Sequence, residues 1–447
     1  MVDFLRTICK FNFGEFEKEE FKKFLKMGGI LMMILGVYWT LRPLKDSLFD
    51  QIIGADHRPY AKIISALLMI PFVALYTKIL DYVPKSKLIS KLPPLFYGSI
   101  VLAYAVFVWF FQNGTITKSI FTTVLGYFWY FCVESYGSLV LALFWSFATD
   151  ITTSEDANKG FSLVYALGHF GGILFPILFI GLPIGLGVKS DSVSMVLAAI
   201  LMLFIAPILK SLITKTPKEL MVSQNSNKEA KRKKEKTGFM EGVKILFSHK
   251  YLISIFAVNF FFELIVTLFD FNFKIKASKV FTGVELTRYY FKYSSIVNLI
   301  TFIFLLFGIS KITEYLGLKV SLAMVPILFC AALIGFFTVR KLEFLFWLMV
   351  CSKAVNYSVN GPSLKQLYIP TSEDARSKAQ AWIETFCGRF SKMAGSGLNA
   401  LPKVIGKAAY RLVSGSVGFT FIIIWFCLAL YLGKTHKKAI DSKTNIC

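Results

Sequence analysis

Charge is what this chain has least of. Asp, Glu, Lys and Arg make up 17% of its 447 residues, while 55% are hydrophobic and the mean hydropathy is +0.60. A soluble protein of this length needs more charge to cover its surface, so one large water-soluble core is excluded. Acids are scarcer than bases, 27 against 50. The four histidines do not cluster, and no metal site is expected from them. The cysteines, Cys9, Cys132, Cys330, Cys351, Cys387, Cys427 and Cys447, lack metal or redox spacing. Most sit inside apolar runs, where a thiol is a small buried hydrophobe. No G-x-x-x-x-G-K-[ST] run occurs, which excludes a pump with its own P-loop engine. No nucleophile–base set stands out either, so neither an enzyme nor a resident cofactor is expected.

Long apolar runs are what is there. A bilayer-spanning helix takes roughly 20 such residues. Twelve candidates fit: 27–49, 60–82, 93–112, 119–149, 156–184, 191–213, 250–274, 286–309, 317–339, 342–365, 373–400 and 412–433. The expected fold class is an all-α membrane protein of twelve transmembrane helices. The segments divide into an amphipathic surface segment (1–26), a six-helix bundle (27–213), a basic linker (214–249), a second six-helix bundle (250–433) and a tail (434–447). The opening stretch FNFGEFEKEEFKKFLK is charged and aromatic and reads as a surface helix, with no cleavable leader. The linker carries Lys231, Arg232, Lys233, Lys234 and Lys236. In a membrane protein such a run marks a cytoplasmic loop and not a nucleic-acid site. Lys85, Lys87, Lys91 and the tail lysines agree, which puts both termini in the cytoplasm.

The halves echo one another. TSEDA occurs at 153–157 and again at 371–375, each time where the fifth helix of a half begins. Thr or Ser followed by acids suits a helix N-terminus. KILDY at 78–82 is echoed by KITEY at 311–315, ending the second helix of each half. Two echoes at matching places imply duplication, hence a major-facilitator-like pair of bundles with a midplane site between them.

Ionisable groups within the apolar runs mark that site. Each costs about 2.5–3.5 kcal/mol at the membrane centre on insertion scales, so they are expected to meet water, one another or a ligand. At 100° per residue, Lys378, Trp382, Thr385, Arg389, Lys392 and Ser396 share one narrow stripe. Its three cations span about 21 Å. Asn259, Glu263, Thr267, Asp270 and Lys274 share another face, as do Lys353, Asn356, Asn360 and Ser363. Tyr38, Arg42 and Lys45 align on the first helix, and Tyr127, Tyr130, Glu134, Ser138 and Trp145 on the fourth. Structural salt bridges or snorkelling to the interface are the plain alternatives, and for the end-of-helix Lys45, Lys274 and Lys378 snorkelling competes evenly. Cations outnumber acids on the first, tenth and eleventh helices, which suits a multiply charged anion such as a phosphate ester. The expected phosphate ligands are Arg42, Lys45, Lys274, Lys353, Lys378, Arg389 and Lys392. Glu134, Glu263 and Asp270 are the expected gating or coupling acids. Tyr38, Tyr130, Trp145, Asn356, Asn360 and Trp382 are the candidate contacts to a base.

Four stretches carry a resemblance. They are EFKKFLKMGGILMMILGVYWTLRPLKDSLFD (20–50), ESYGSLVLALFWSFATDITTSEDA (134–157), DFNFKIK (270–276) and YSVNGPSLKQLYIPTSEDARSKAQAWIETFCGRFSKMAG (357–395). In order, they resemble the motifs of the ATP/ADP translocases of plastids and obligate intracellular bacteria. That resemblance implies exchange of ATP for ADP and phosphate, or import of nucleotides, with functional charges at Lys45, Glu134, Asp270, Lys274, Lys378, Arg389 and Lys392. The chain departs from the family's pattern at Asp270, where Glu is usual, and at Gly361, Leu364, Lys365 and Gln380. Other readings stay open: a proton-coupled importer of other nucleotides, a carrier of another phosphorylated anion, or a non-transporting receptor. The expected partners are a nucleotide, with phosphate or protons as co-substrate, and membrane lipids, the working unit being a monomer. The expected location is the inner membrane of an intracellular bacterium or the plasma membrane of a parasite.

Overall fold

A computed structural model describes residues 16–446, apart from 153, 189, 218–219, 222–238, 307–316, 340, 369, 373–378, 381–382 and 443–445. The described residues hold no β-strand. We number the long helices α1 Lys18–Ile52, α2 Arg58–Tyr82, α3 Lys85–Gln112, α4 Ile120–Asp150, α5 Ser154–Pro176 and α6 Ser192–Lys215. The series continues with α7 Lys250–Val280, α8 Gly283–Leu306, α9 Leu318–Thr338, α10 Leu342–Val355, α11 Gly388–Ala400 and α12 Pro402–Ser442. Among the described residues nine helices are long and apolar enough to cross a membrane, the set lacking α8, α10 and α11.

Local chemistry sets several ends. Glu17 N–H donates to Glu20 Oε2 at the start of α1 (3.2 Å). The helix therefore starts nine residues earlier than the apolar run predicts, and residues 18–26 continue into the span as one helix. Ser119 accepts from the Thr122 N–H to cap α4. α5 begins inside the first TSEDA, at Ser154, as the capping pattern predicts. Of the second copy only Thr371 and Ser372 are described, and KITEY lies outside the described residues. Among the described residues π turns interrupt four helical runs: Leu92–Tyr97 within α3, Ile177–Gly181 after α5, Asn356–Asn360 after α10 and Ile383–Cys387 before α11.

The described residues gather into two compact units. One holds those of Met1–Gly54, Leu67–Glu229 and Phe281–Asn298; the other those of Ala55–Ala66, Ala230–Val280 and Leu299–Cys447. The start of α2 thus belongs with the second unit, and most of α8 with the first.

In the first unit α1 runs along α5 and α4. Small residues make that approach possible: a Cβ on Gly171 of α5 would strike the Met32 carbonyl of α1. Close backbone approach through glycine is a usual way for membrane helices to gain packing contacts. Ile34, Leu44, Val140, Leu143 and Phe144 fill the core. In the second unit α7 takes the central place, against α11, α12 and α10. Phe262, Phe329 and Trp425 pack edge-on or tilted there, with centroids 5.4–6.0 Å apart. The outer helices turn Leu67, Ile70, Val106, Phe121, Ile327 and Ile423 outward. Such continuous apolar exposure suits lipid and not water.

Candidate functional site

Each unit holds a charge cluster built around its central helix. In the first, Lys45 of α1 is buried and forms an ion pair with Glu134 of α4. Its ammonium also lies 4.1 Å from the centre of the Tyr130 ring and 3.6 Å from Asp46. The lysine side chain is 4% exposed but that of Glu134 is 37% exposed, so the pair is open on the acid's side. One turn earlier on α1, the half-buried Arg42 guanidinium lies over Trp39 (4.9 Å) and Tyr38 (5.9 Å). Such cation–π contacts hold a desolvated cation without neutralising it. The Trp145 ring stacks on Tyr165 with centroids 4.6 Å apart.

In the second unit the acid sits between lysines. Asp270 of α7 is buried, with Lys274 Nζ at 3.0 Å from Oδ2 and Lys62 Nζ at 3.2 Å. Lys353 of α10 and Arg58 at the start of α2 are within electrostatic reach of the same carboxylate. Two turns back along α7, Glu263 faces Lys392 of α11 at 3.9 Å, with 52% of the lysine side chain exposed. Arg389 lies half-buried one turn before Lys392. The α7 stripe therefore forms two pairs instead of one continuous row. Its uncharged members fold back on the helix: Asn259 donates to the Ile255 carbonyl and Thr267 to the Glu263 carbonyl.

In the π turn after α10, Asn360 Nδ2 donates to Asn356 Oδ1 (2.9 Å). Asn360 Oδ1 and Ser363 Oγ are buried without a hydrogen-bond partner among the described residues. Unsatisfied buried polar atoms at a π turn are a usual mark of a working segment. Lys378 and Trp382 lie outside the described residues.

The helix-face count named both partners of most of these contacts, Lys45 with Glu134, Asp270 with Lys274 and Glu263 with Lys392 among them, but not Lys62 or Arg58. Lys62 and Arg58 stand near the start of an apolar run and read as interfacial ends. Nothing local to Lys62 points to Asp270, 208 residues away. A second polar group also escaped. In the first unit the buried Asp191 accepts from Gln112 Nε2 (2.9 Å) and Thr287 Oγ1 (3.0 Å). Ser47 Oγ shares a hydrogen bond with Thr287 (2.7 Å), and Tyr290 donates to Asp50 (2.9 Å). These bonds, with Asn298 donating to the Gly172 carbonyl (3.3 Å), fasten the first part of α8 within that unit. Ordinary Ser, Thr and Gln positions carry no sequence signal for such a group.

The profile of the TLC ATP/ADP transporter family matches residues 7–436. ADP,ATP carrier protein 1 of Rickettsia typhi is 23% identical over 496 aligned positions, covering 96% of each chain. The chloroplastic ADP,ATP carrier protein 1 of Arabidopsis thaliana is 24% identical, over 84% of this chain and 67% of its own. Among solved structures, a bacterial homologue of the human lysosomal transporter Spinster matches with a TM-score of 0.56 at 14% identity, covering 94% of this chain and 98% of its own. The xylose transporter XylE from E. coli matches with a TM-score of 0.57 at 11% identity, over 94% and 96%. These likenesses give the chain the major-facilitator fold.

Proposed function

The chain belongs to the TLC ATP/ADP transporter family, and from that premise we propose that it exchanges ATP for ADP across a membrane by alternating access. It is an integral membrane carrier and not an enzyme. One observation carries the site assignment: a buried carboxylate, Asp270, held by Lys274 and Lys62 with Lys353 and Arg58 close by. Among the described residues that cluster sets several cations about one acid inside apolar helices. A phosphate is the natural second anion for it, because it neutralises a multiply charged lysine site more fully than one carboxylate does.

In the exchange cycle the acids hold the cations when no substrate is bound. Glu134 holds Lys45, Asp270 holds Lys274 and Lys62, and Glu263 holds Lys392. An incoming phosphate takes over those cations, so empty and loaded states differ in which ion pairs exist. A ligand shifts a conformational equilibrium only by its differential affinity for the two states, and exchanged ion pairs supply that difference. Arg42, Lys353, Lys378 and Arg389 complete the proposed phosphate ligands. Tyr38, Tyr130, Trp145, Asn356, Asn360 and Trp382 are the proposed contacts to the base. ATP carries about one more negative charge than ADP, so one-for-one exchange moves charge, worth about 2.3 kcal/mol per 100 mV. The proposal includes two six-helix halves joined by the basic linker, both termini in the cytoplasm of an intracellular bacterium or parasite, and a monomer as the working unit.

The test is reconstitution. Liposomes preloaded with ADP take up labelled ATP, empty liposomes do not, and an imposed potential changes the rate. Equal uptake into empty liposomes under a proton gradient would replace exchange by proton coupling. No uptake of any nucleotide under any gradient would refute nucleotide transport.

A further inference from the structure

At the far end of α12 the helix leaves the apolar region with a lysine face. Lys434, Lys437 and Lys438 follow i, i+3, i+4, and Asp441 closes the stripe at i+7. Lys319, in the first turn of α9, joins them across an open cleft of about 630 Å3. At the cleft's edge α12 meets α9 closely through Gly433, where a Cβ would lie 2.6 Å from Lys319 Cα. Lys319, Lys434, Lys437 and Lys438 are exposed and form no ion pair among the described residues, so this cleft holds four cations and one acid.

What lies beneath the lysines identifies the ligand. Ile424, Tyr431 and Lys438 are spaced at i, i+7, i+14 and share one side of α12, and Ile424 and Tyr431 are exposed. On α9, Val320 and Ile327, also seven apart, are exposed as well. The lysine face is thus the upper end of a surface that faces lipid, and the run from Lys434 to Ile424 covers about 15 Å, or half a hydrocarbon core. A soluble anion has no use for the apolar half of this surface. A phospholipid uses both: its phosphate meets the ammonium groups and its chains lie along α9 and α12. Basic pockets of this kind between membrane helices are suited to anionic headgroups.

We propose that the cleft bounded by Lys319, Lys434, Lys437 and Lys438 is a binding site for an anionic glycerophospholipid. Asp441 opposes the headgroup and limits its affinity. The site is independent of the transport assignment.

The test uses the full-length protein in detergent, titrated with phosphatidylglycerol or phosphatidylcholine, bound lipid being counted by native mass spectrometry. Phosphatidylglycerol should bind at least tenfold more tightly. The triple variant K434Q/K437Q/K438Q should lose that preference, at about fivefold per lysine. Removing the exposed Lys87, Lys91 and Lys215 instead should leave it intact. Asp441→Asn should tighten phosphatidylglycerol binding a few-fold, and it decides the matter if the triple variant does not fold. Equal losses in the two lysine sets, an unchanged affinity in Asp441→Asn, or displacement of the lipid by millimolar inorganic phosphate would each overturn the proposal.

Discussion

The two units solve the problem of a buried charge differently. In the first, one lysine, Lys45, lies between two carboxylates, Glu134 and Asp46, and Glu134 keeps an accessible face. In the second, Asp270 is closed in and serves two lysines at once, with Lys353 and Arg58 nearby. A lysine with two acids beside it keeps one partner, Asp46, when Glu134 is withdrawn. A shared acid is a keystone, because its loss leaves several buried cations facing one another. The contrast also bears on function. The first cluster offers a phosphate one cation set between two carboxylates, and the second offers at least two cations around one.

The largest effect that separates the clusters is Asp270→Asn. Breaking a buried pair costs about 3–5 kcal/mol, so thermal unfolding in detergent should drop sharply and ATP/ADP exchange should vanish. Lys274→Gln added to that variant should recover part of the stability, since it removes one uncompensated charge. If Asp270→Asn unfolds at the wild-type temperature, the keystone reading is wrong.

Glu134→Gln should behave otherwise. Exchange should fall at least tenfold while stability changes by about 1.5 kcal/mol, the low end for a hydrogen bond to a charged group. A stability loss as large as that of Asp270→Asn would erase the difference between the units. Third, Arg389→Ala should weaken ATP binding several-fold with normal expression, read by isothermal titration. Unchanged affinity would remove the α11 stripe from the phosphate site. The smallest effect belongs to the exposed pair. Glu263→Gln should shift stability by less than about 1 kcal/mol, and a larger shift would mean that Lys392 depends on it structurally.

Much of the candidate site was legible in the sequence because a charge within an apolar run is conspicuous on its own. Lys45, Glu134, Asp270, Lys353 and Arg389 needed only hydropathy and a 100° helical wheel. Lys62 failed that test because two residues' distance from a helix start makes a lysine look interfacial. The Asp191, Gln112, Thr287 group failed it because amides and hydroxyls raise no alarm until three of them converge. The long start of α1 was missed for a related reason: Lys22, Lys23 and Lys26 interrupt the apolar run. In the fold Lys23 is buried, donating to the Ile151 and Leu220 carbonyls (2.7 Å each).

By itself, the order of residues determined a membrane-embedded, helical chain and named which helices carry charge. Those properties are local: hydropathy over about twenty residues and periodicity within one helix. The tertiary structure alone decided which charge meets which, and that the start of α2 joins the second unit while most of α8 joins the first. Such pairings join positions as far apart as Lys62 and Asp270. No window along the chain contains both, and only helix packing brings an ammonium within 3.2 Å of that carboxylate.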